Sequence, residues 1–595
     1  MRSAVFAIVA PLLVGTCVLS QTNSNFASLE EEFIYTALAI SPVAATSAGY
    51  HRHNGTNLDR QLDDFSPAGI ELQRKFYNNM RDRLRQTTDK QPLSPEDRAD
   101  YDIIQDQIGL ALLELDSIQS YRHNPTVYVE LIGNALFNPL VLEYAPKPER
   151  LRDIIARTAK IPAFLAQART NLVSAPEIWT QVASEENQGN IDLLERAIPA
   201  EVPHDLRPEF DRAAQPAMAA LRDFQNYLKN DLAMRHQADW RLGPELYRRK
   251  FRYTLATDLT PEQVLRAAEA EFKAVRKQML DLARQLNRNG AHQDTGSASS
   301  PDGENAVISR ALDRIAAKHA TPGTYMSDAK RDLDEARQFV RAKDLLTLPS
   351  RANLQVIDTP EFMRGIYAVG GFNPAPVLEP KLGAFYWITP IPKDWPAKRI
   401  ESKLREYNFY HLKLLTIHEA MPGHYVQGEF ANDVEPKRRR VLRGIWGNGP
   451  YVEGWAEYAE QLLLDQGYLD HSPELRLTFQ KEMLRVLANA ILDVRLQTMG
   501  MTDQQALDLM QKETFQETEE ATAKLQRAKL SSCQLPTYFV GWRGWLRVRE
   551  AYRKTKGDGF NLKEFHDRAL KEGAAPLPVL ARLLTGKPLG EQTSK

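Results

Sequence analysis

Cysteine is almost absent from this chain. Of its 595 residues only two are cysteines, Cys17 and Cys533. Cys17 lies in an N-terminal stretch that we expect to be removed, so one cysteine would remain and no internal disulfide could form. Many small exported domains depend on disulfides for stability. This chain must instead be stabilised by the packing of its core.

The chain also lacks an excess of charge of either sign. It has 76 basic and 77 acidic residues, which gives a formal net charge of −1. That balance argues against nucleic acid or an anionic membrane surface as the main partner. Charged residues alternate with apolar ones throughout, and proline (35) outnumbers glycine (31). This composition is typical of a folded, helix-rich protein and excludes a disordered chain.

Long apolar runs are missing after the first twenty residues, because charges interrupt every later run. Residues 1–20 carry an early arginine, then an apolar stretch, and end in the small residue Ser20. This pattern is typical of a secretory signal peptide cleaved before Gln21. We therefore expect an exported protein, periplasmic or secreted, with no membrane span after signal removal. Cys17 leaves a lipid anchor as an alternative.

Helical periodicity broken by prolines runs through most of the chain and predicts a mostly α-helical fold. We predict an N-terminal helical region over residues 21–288, which would wall a cleft, and a second helical region over 306–595. Residues 289–305 are rich in Gly, Ser and Asp and are interpreted as an exposed linker. A basic stretch, Lys437–Arg443, is interpreted as a solvated face or loop.

One β-rich patch interrupts the helical pattern, at about residues 353–390. Asn353–Ile357 and Gly383–Thr389 are its strand candidates, and they predict one small sheet. Pro380 and Pro390 flank the second candidate, which suits an edge strand. An edge can hold an extended peptide through main-chain hydrogen bonds. The alternative is an ordinary small sheet that caps the helical core.

Two histidines and a glutamate fall within the seven residues His418–His424. Histidine ligands with a neighbouring Glu as general base are the working parts of zinc hydrolases. The usual spacing, His-Glu-x-x-His, puts both rings on one helical face, whereas six residues on an unbroken helix leave them about 120° apart. The inserted Pro422-Gly423 stops or kinks a helix. We therefore predict a helix ending at Glu419, with His424 brought back by the bend and both histidines bound to zinc. The alternative is a pair of histidines that suit the dipole of a helix C-terminus.

A carboxylate face follows in Tyr451–Glu460. On a helix Glu453, Glu457 and Glu460 share one face, and the aromatic residues share another. Adjacent carboxylates repel by roughly 0.2–0.5 kcal/mol per pair, which a metal or an arginine would offset. A solvated acidic face is the alternative, but the aromatic face indicates a packed helix. We choose Glu453 as the third ligand. Glu457 and Glu460 remain alternatives, or groups that orient the two histidines.

A later segment, Arg527–Gly541, contains Ser and Pro residues that predict a loop or kinked helix. A tyrosine hydroxyl or an arginine beside a metal can stabilise a developing oxyanion or hold a substrate carboxylate. Tyr538 and Arg527 are candidates for these two roles, with packing roles equally open.

The two main motifs resemble those of a bacterial family known as domain of unknown function 885 (DUF885), which is placed among helical zincin-like metallopeptidases. That family shows His-Glu-x-x-Pro-Gly-His and then Glu-Gly-Trp-Ala-x-Tyr-x-Glu, matched here by His418–His424 and Glu453–Glu460. Gly383–Tyr386 resembles the family's strand before the metal helix. Gln534 and Tyr538 fall where its late motif lies. The resemblance covers most of the mature chain.

The resemblance implies an exported, zinc-dependent, zincin-like metallopeptidase whose small sheet lies beside the active-site cleft. Its substrate would be a peptide or a related amide. Two alternatives stay open, a catalytically inactive peptide-binding relative and a hydrolase of non-peptide esters or amides. The implied site consists of metal ligands His418, His424 and Glu453, catalytic residues Glu419 and Tyr538, and substrate-binding residues Arg527, Tyr386 and Gln534.

The chain departs from the family's pattern at several positions outside the metal motif, among them Met501 in place of a Trp and Ser532-Cys533 in place of a Pro-Gly pair. Asn489 stands where the family often has Arg, and Gln497 where it has His. Ala528 replaces a Tyr of the late motif. We expect these changes to affect substrate handling or turnover and to leave the metal ligands unaffected.

Overall fold

The computed structural model describes residues 17–90, 92–235, 238–289, 301–359, 364 and 369–589. These residues are mostly helical, with one small mixed sheet, as the periodicity predicts. Most of the predicted signal peptide, residues 1–16, lies outside this part of the chain. Among the helices that are described, none combines the length and apolarity needed to cross a membrane.

Many helices in the first half of the chain begin at or next to a proline, whose fixed φ suits a first helical turn and whose missing N–H is not needed there. The helices of this half are α1 (Cys17–Ile40), α2 (Pro42–Ala48), α3 (Pro67–Lys90), α4 (Pro95–Leu113), α5 (Ser120–His123), α6 (Thr126–Val141), α7 (Lys147–Thr158), α8 (Ile161–Asn171), α9 (Glu177–Asp192), α10 (Ile198–Glu201), α11 (Arg207–Asn230), α12 (Gly243–Leu255) and α13 (Pro261–Asn289). A two-residue hairpin pairs β1 (Arg52–His53) with β2 (Thr56–Asn57).

The second half contributes the helices that carry the conspicuous motifs. They are α14 (Pro301–Ala316), α15 (Tyr325–Ala342), α16 (Ala397–Glu406), α17 (Phe409–Glu419), α18 (His424–Ala431), α19 (Lys437–Ile445), α20 (Gly449–Asp465), α21 (Pro473–Thr498), α22 (Asp503–Asp508), α23 (Thr518–Leu530), α24 (Thr537–Lys556), α25 (Leu562–Lys571) and α26 (Leu577–Thr585). Of the predicted linker 289–305, residues 290–300 lie outside the described part, and α14 begins within its last five residues.

The largest hydrophobic core joins both sides of that predicted linker. It includes Tyr247 of α12 and Phe272 of α13 together with the buried Trp455 and Trp545 of α20 and α24. A second core lies within residues 128–232 of the N-terminal half. Helix α13 therefore packs with the helices after the linker, whereas α12 contacts both α4 and those helices.

The small sheet contains three strands, β3 (Leu354–Asp358), β4 (Gly370–Asn373) and β5 (Ala384–Ile388), in the order β3-β5-β4. β3 is parallel and β4 antiparallel to β5. The edge position predicted for Gly383–Thr389 is wrong, because β5 is the central strand. Pro380 and Pro390 lie beyond its ends, so they remove no donor from the ladder. The short strand β4, with two glycines, had no β signal in the sequence.

The solvated face predicted for Lys437–Arg443 is also wrong. These residues form α19, and Arg443 is only 1% exposed. Its Nε donates to Asp100 of α4 at 2.7 Å, and Arg439 Nε donates to the same carboxylate at 2.6 Å. Because the acidic partners lie more than 300 residues earlier, the sequence could not show that this basic face meets them. These ion pairs tie α19 to the N-terminal half.

Candidate metal centre

The predicted bend between the two histidines is confirmed. α17 ends at Glu419, and α18 begins at His424. Inside the bend the Gly423 N–H donates to the Ile417 carbonyl at 2.9 Å. A Cβ at Gly423 would lie 1.9 Å from the His418 carbonyl oxygen, so only glycine fits. The Trp455 indole N–H donates to the Pro422 carbonyl at 2.9 Å and holds the bend against α20.

Three potential ligand atoms converge where α17, α18 and α20 meet. Glu453 Oε2 lies 3.7 Å from His418 Nε2 and 3.5 Å from His424 Nε2. The two imidazole centroids are 4.8 Å apart, with the rings nearly perpendicular. Tetrahedral zinc with ligands at about 2.0–2.1 Å places neighbouring ligand atoms roughly 3.3–3.5 Å apart. The donor set and its spacing therefore fit a zinc ion.

The other two glutamates of the carboxylate face lie on the opposite side of His418. The His418 Nδ1 lies 2.9 Å from Glu460 Oε1 and 3.9 Å from Glu457 Oε1. The shorter distance is that of a hydrogen bond from the imidazole to a carboxylate, which leaves Nε2 free to bind a metal. Glu460 thus orients His418. His424 has no such support, because its Nδ1 has no hydrogen-bond partner among the described residues.

The repulsion expected along the carboxylate face is relieved in two ways. Burial, and next the charge of Glu460, raise the pKa of Glu457 well above its usual value, so its carboxyl tends to stay neutral. For Glu453, burial raises the pKa, but the nearby imidazoles of His418 and His424 outweigh it and hold the pKa well below the usual range. Glu453 is therefore the carboxylate of the three that stays ionised at the metal side.

Glu419, the predicted general base, is the last residue of α17 and follows His418 directly. It is half-buried, and its carboxylate makes no hydrogen bond to any residue in the described ranges. Burial lowers the pKa of His418, but the contacts with Glu453 and Glu460 and then the negative charge of Glu419 raise it well above its usual value. The structure thus places a carboxylate without a partner beside the convergence point.

Tyr538 reaches this region because α20 and α24 cross with their backbones in contact. The crossing point is Gly454 against Gly541, where an added Cβ on Gly541 would lie 2.0 Å from the Pro450 carbonyl oxygen. This close approach puts the first turn of α24 beside Glu453. After burial, the charge of Glu453 is the next largest cause of the raised pKa of Tyr538.

The structure brings together three of the residues singled out in the late segment. Arg527 Nη2 donates to Gln534 Oε1 at 3.2 Å and to the Tyr538 hydroxyl oxygen at 3.4 Å. Gln534 Nε2 donates to the same hydroxyl oxygen at 3.4 Å. The loop predicted in this segment covers only residues 531–536, because Arg527 lies in the last turn of α23 and Tyr538 in the first turn of α24. Two donors on its oxygen leave the hydroxyl proton of Tyr538 free for another acceptor.

Tyr386 does not join this group. Its side chain is 0% exposed in the core, and its hydroxyl forms a hydrogen bond with Thr416 Oγ1 at 3.2 Å. A side chain without exposed surface offers nothing to a substrate, so the substrate-binding role predicted for Tyr386 is not supported. The residue instead packs the central strand β5 against the metal-site helix α17.

Gln497, which stands where the family has His, makes two structural hydrogen bonds. Its side chain accepts from the Leu242 N–H at 2.9 Å and donates to the Ser531 carbonyl at 3.2 Å. One turn earlier, Asp493 accepts from the Cys533 N–H at 2.9 Å. Both residues thus brace the loop that leads to Tyr538.

Two neighbours of the site, Phe372 and Glu482, were not indicated by the sequence. Phe372 of β4 stacks near His424, with centroids 6.5 Å apart. His411, two turns before His418, pairs with Glu482 of α21 at 3.2 Å. The available signal was the helical spacing of His411 and His418, but nothing local pointed to Glu482 as the partner.

A family model described as "Bacterial protein of unknown function (DUF885)" matches residues 42–584. The chain belongs to this family. The resemblance found in the two motifs is thereby confirmed for the family as such. No curated protein matches the chain.

Two solved structures share the fold of this DUF885 member over nearly its whole length. A protein of Shewanella oneidensis, titled a "putative lipoprotein of unknown function", has a TM-score of 0.79 and 29% identity, and the match covers 94% of this chain and 99% of the other. A "putative lipoprotein" of Colwellia psychrerythraea has a TM-score of 0.73 and 18% identity, with 95% and 99% covered. A Pyrococcus furiosus carboxypeptidase reaches a TM-score of only 0.41 at 9% identity, with 97% of each chain covered, which says nothing about activity.

Proposed function

We propose that this DUF885 protein is an exported zinc-dependent hydrolase that cleaves peptide or related amide bonds. One observation supports the proposal above all. Two imidazole Nε2 atoms lie 3.5 and 3.7 Å from one Glu453 oxygen, and Glu460 holds the Nδ1 of His418. Three protein ligands and an open fourth position are the pattern of catalytic rather than structural zinc.

Each residue around the ligands has a chemical task in such a reaction. Zinc held by His418, His424 and Glu453 would polarise a substrate carbonyl and lower the pKa of water. Glu419 would take a proton from the attacking water on its free carboxylate and deliver it to the leaving amine. Tyr538 would donate its hydroxyl proton to the carbonyl oxygen as negative charge develops there.

Two observations support export. Residues 1–20 have the pattern of a signal peptide. Two structural neighbours are titled "putative lipoprotein". The N-terminal sequence and intact mass of the protein purified from its native cell would decide the matter. A mature chain starting at Gln21 supports soluble export, a lipid on Cys17 supports an anchored form, and retention of Met1 contradicts export.

The proposal is tested by comparing the zinc-loaded parent with Glu419→Gln on a peptide library and on an ester panel. We expect the parent to cleave peptides, and the variant to keep its zinc but lose turnover, because the amide cannot accept the proton. Glu519→Gln, an exposed change on α23, is the matched control and should behave like the parent.

Three outcomes would contradict the proposal in different ways. Cleavage of esters alone would replace the amide substrate class. Peptide binding without turnover would indicate the inactive relative. Unchanged turnover in Glu419→Gln would remove Glu419 from the role of general base.

A further inference from the structure

A group of charged side chains lies between α21 and α23, next to the residues already described. Glu482, Arg485 and Asn489 share one face of α21, since they are spaced at i, i+3 and i+7. Arg485 Nη2 reaches Glu520 of α23 at 3.4 Å, and its Nη1 lies 3.6 Å from Glu482. These contacts join the two helices across the group.

Lys524 lies one turn after Glu520 on the same helix. Only 6% of it is exposed, yet it forms no hydrogen bond or ion pair with any other residue of the described ranges. Buried lysines are rare unless they are paired. Burial, then the neighbouring cations Arg485 and Arg527, lower the pKa of Lys524 to about 7.

The carboxylates near Lys524 are already engaged. Glu482 pairs with His411 at 3.2 Å, and Glu520 with Arg485. Neither carboxylate therefore pairs with the ammonium group of Lys524.

The group is continuous with the metal centre. Arg527 follows Lys524 by one helical turn and donates to the Tyr538 hydroxyl oxygen at 3.4 Å. Burial, and next the charge of the nearby Glu453, raise the pKa of Tyr538. A molecule bound at the metal centre and extending past Tyr538 would thus meet Arg527 and then Lys524.

We propose that Lys524, flanked by Arg485 and Arg527, binds a carboxylate of the substrate. A carboxylate would supply the acceptors that the ammonium group lacks and would offset the repulsion among three neighbouring cations. Hydrolysis at the metal centre would then favour peptides that carry a carboxylate at a fixed distance from the cleaved bond. The inference rests on the proposed function for its substrate and on the geometry of α21 and α23 for its site.

The test is a binding measurement that does not need turnover. Zinc-loaded full-length protein carrying Glu419→Gln is titrated by calorimetry with three probes. The first is N-acetyl-dialanine, the second is the C-terminal amide of N-acetyl-dialanine, and the third is the C-terminal amide of N-acetyl-alanyl-glutamate. We expect at least one carboxylate probe to bind roughly tenfold or more tightly than the uncharged amide, as hydrogen bonds to charged groups do. The first probe reports a C-terminal carboxylate and the third an acidic side chain.

Lys524→Met, which keeps the length of the side chain, should remove this preference and leave binding of the uncharged amide unchanged. Lys512→Met, at an exposed lysine, should keep the preference. Removing an unpaired buried charge should not impair folding, so the melting temperature should not fall. Lys524→Gln provides a second variant with the same expected outcome.

Two results would overturn the inference, namely equal binding of all three probes by the parent, or a preference that survives in both Lys524 variants. Failure of the proposed function would look different. In that case the parent would hydrolyse no peptide, although the carboxylate preference and its loss in Lys524→Met would remain.

Discussion

The crossing of α20 and α24 gives a sharp prediction for Gly541→Ala. The new Cβ would lie 2.0 Å from the Pro450 carbonyl oxygen and 2.7 Å from Gly454 Cα, whereas ordinary contacts begin at 3.4 Å. Both obstacles are backbone atoms, so the helices must separate by roughly 1 Å or more. Overpacking of this kind costs about 1–3 kcal/mol of unfolding free energy. The separation also carries Tyr538 away from Glu453, and a 1 Å misplacement can reduce turnover about 100-fold.

The assay compares thermal melting, bound zinc and kcat/KM of Gly541→Ala with the parent. We expect a lower melting temperature, a large loss of kcat/KM, and retained zinc, because the three ligands are on α17, α18 and α20. Gly189→Ala is the control, since that helical glycine in α9 has no atom within 4 Å of an added Cβ. It should melt at or slightly above the parent temperature. A Gly541→Ala protein that melts and turns over like the parent would refute the backbone-contact argument.

Two further predictions concern the supports around the site. Glu460→Gln weakens the acceptor for His418 Nδ1 and should lower zinc affinity about 10–100-fold; an equilibrium zinc titration that shows no change would contradict its orienting role. Asp100→Ala leaves Arg439 and Arg443 buried without that carboxylate and should cost about 3–5 kcal/mol in urea unfolding. Its control, Asp102→Ala, removes partly exposed ion pairs and should cost less than about 1 kcal/mol; equal losses in the two variants would contradict the burial argument.

The parts of the site that were predictable are those set by local sequence. Six residues between His418 and His424 with Pro422-Gly423 between them require a bend, and the structure has that bend. The shared face of the three glutamates follows from helical spacing alone. The sequence could not show which of them faces the Nε2 side of His418. That choice depends on the rotation of α20 about its axis, which is set by tertiary contacts such as the hydrogen bond from Trp455 to the Pro422 carbonyl.

The predictions that failed each depended on a distant partner. The arginines of α19 look solvated until Asp100 is brought against them from α4. Tyr386 looks available until β5 is placed between two strands and against Thr416. Lys524 was not the subject of any prediction, because its burial without a partner has no local signal in the sequence. Such features are determined by tertiary packing, and local patterns do not contain them.

The most direct test of the metal centre is the zinc content of three proteins after loading and desalting: the parent, Glu453→Ala and Glu457→Ala. We expect one zinc per chain in the parent and in Glu457→Ala, and almost none in Glu453→Ala, because zinc then has two ligands in place of three. A parent without zinc, or a Glu453→Ala protein that holds zinc as the parent does, would contradict the site built on His418, His424 and Glu453.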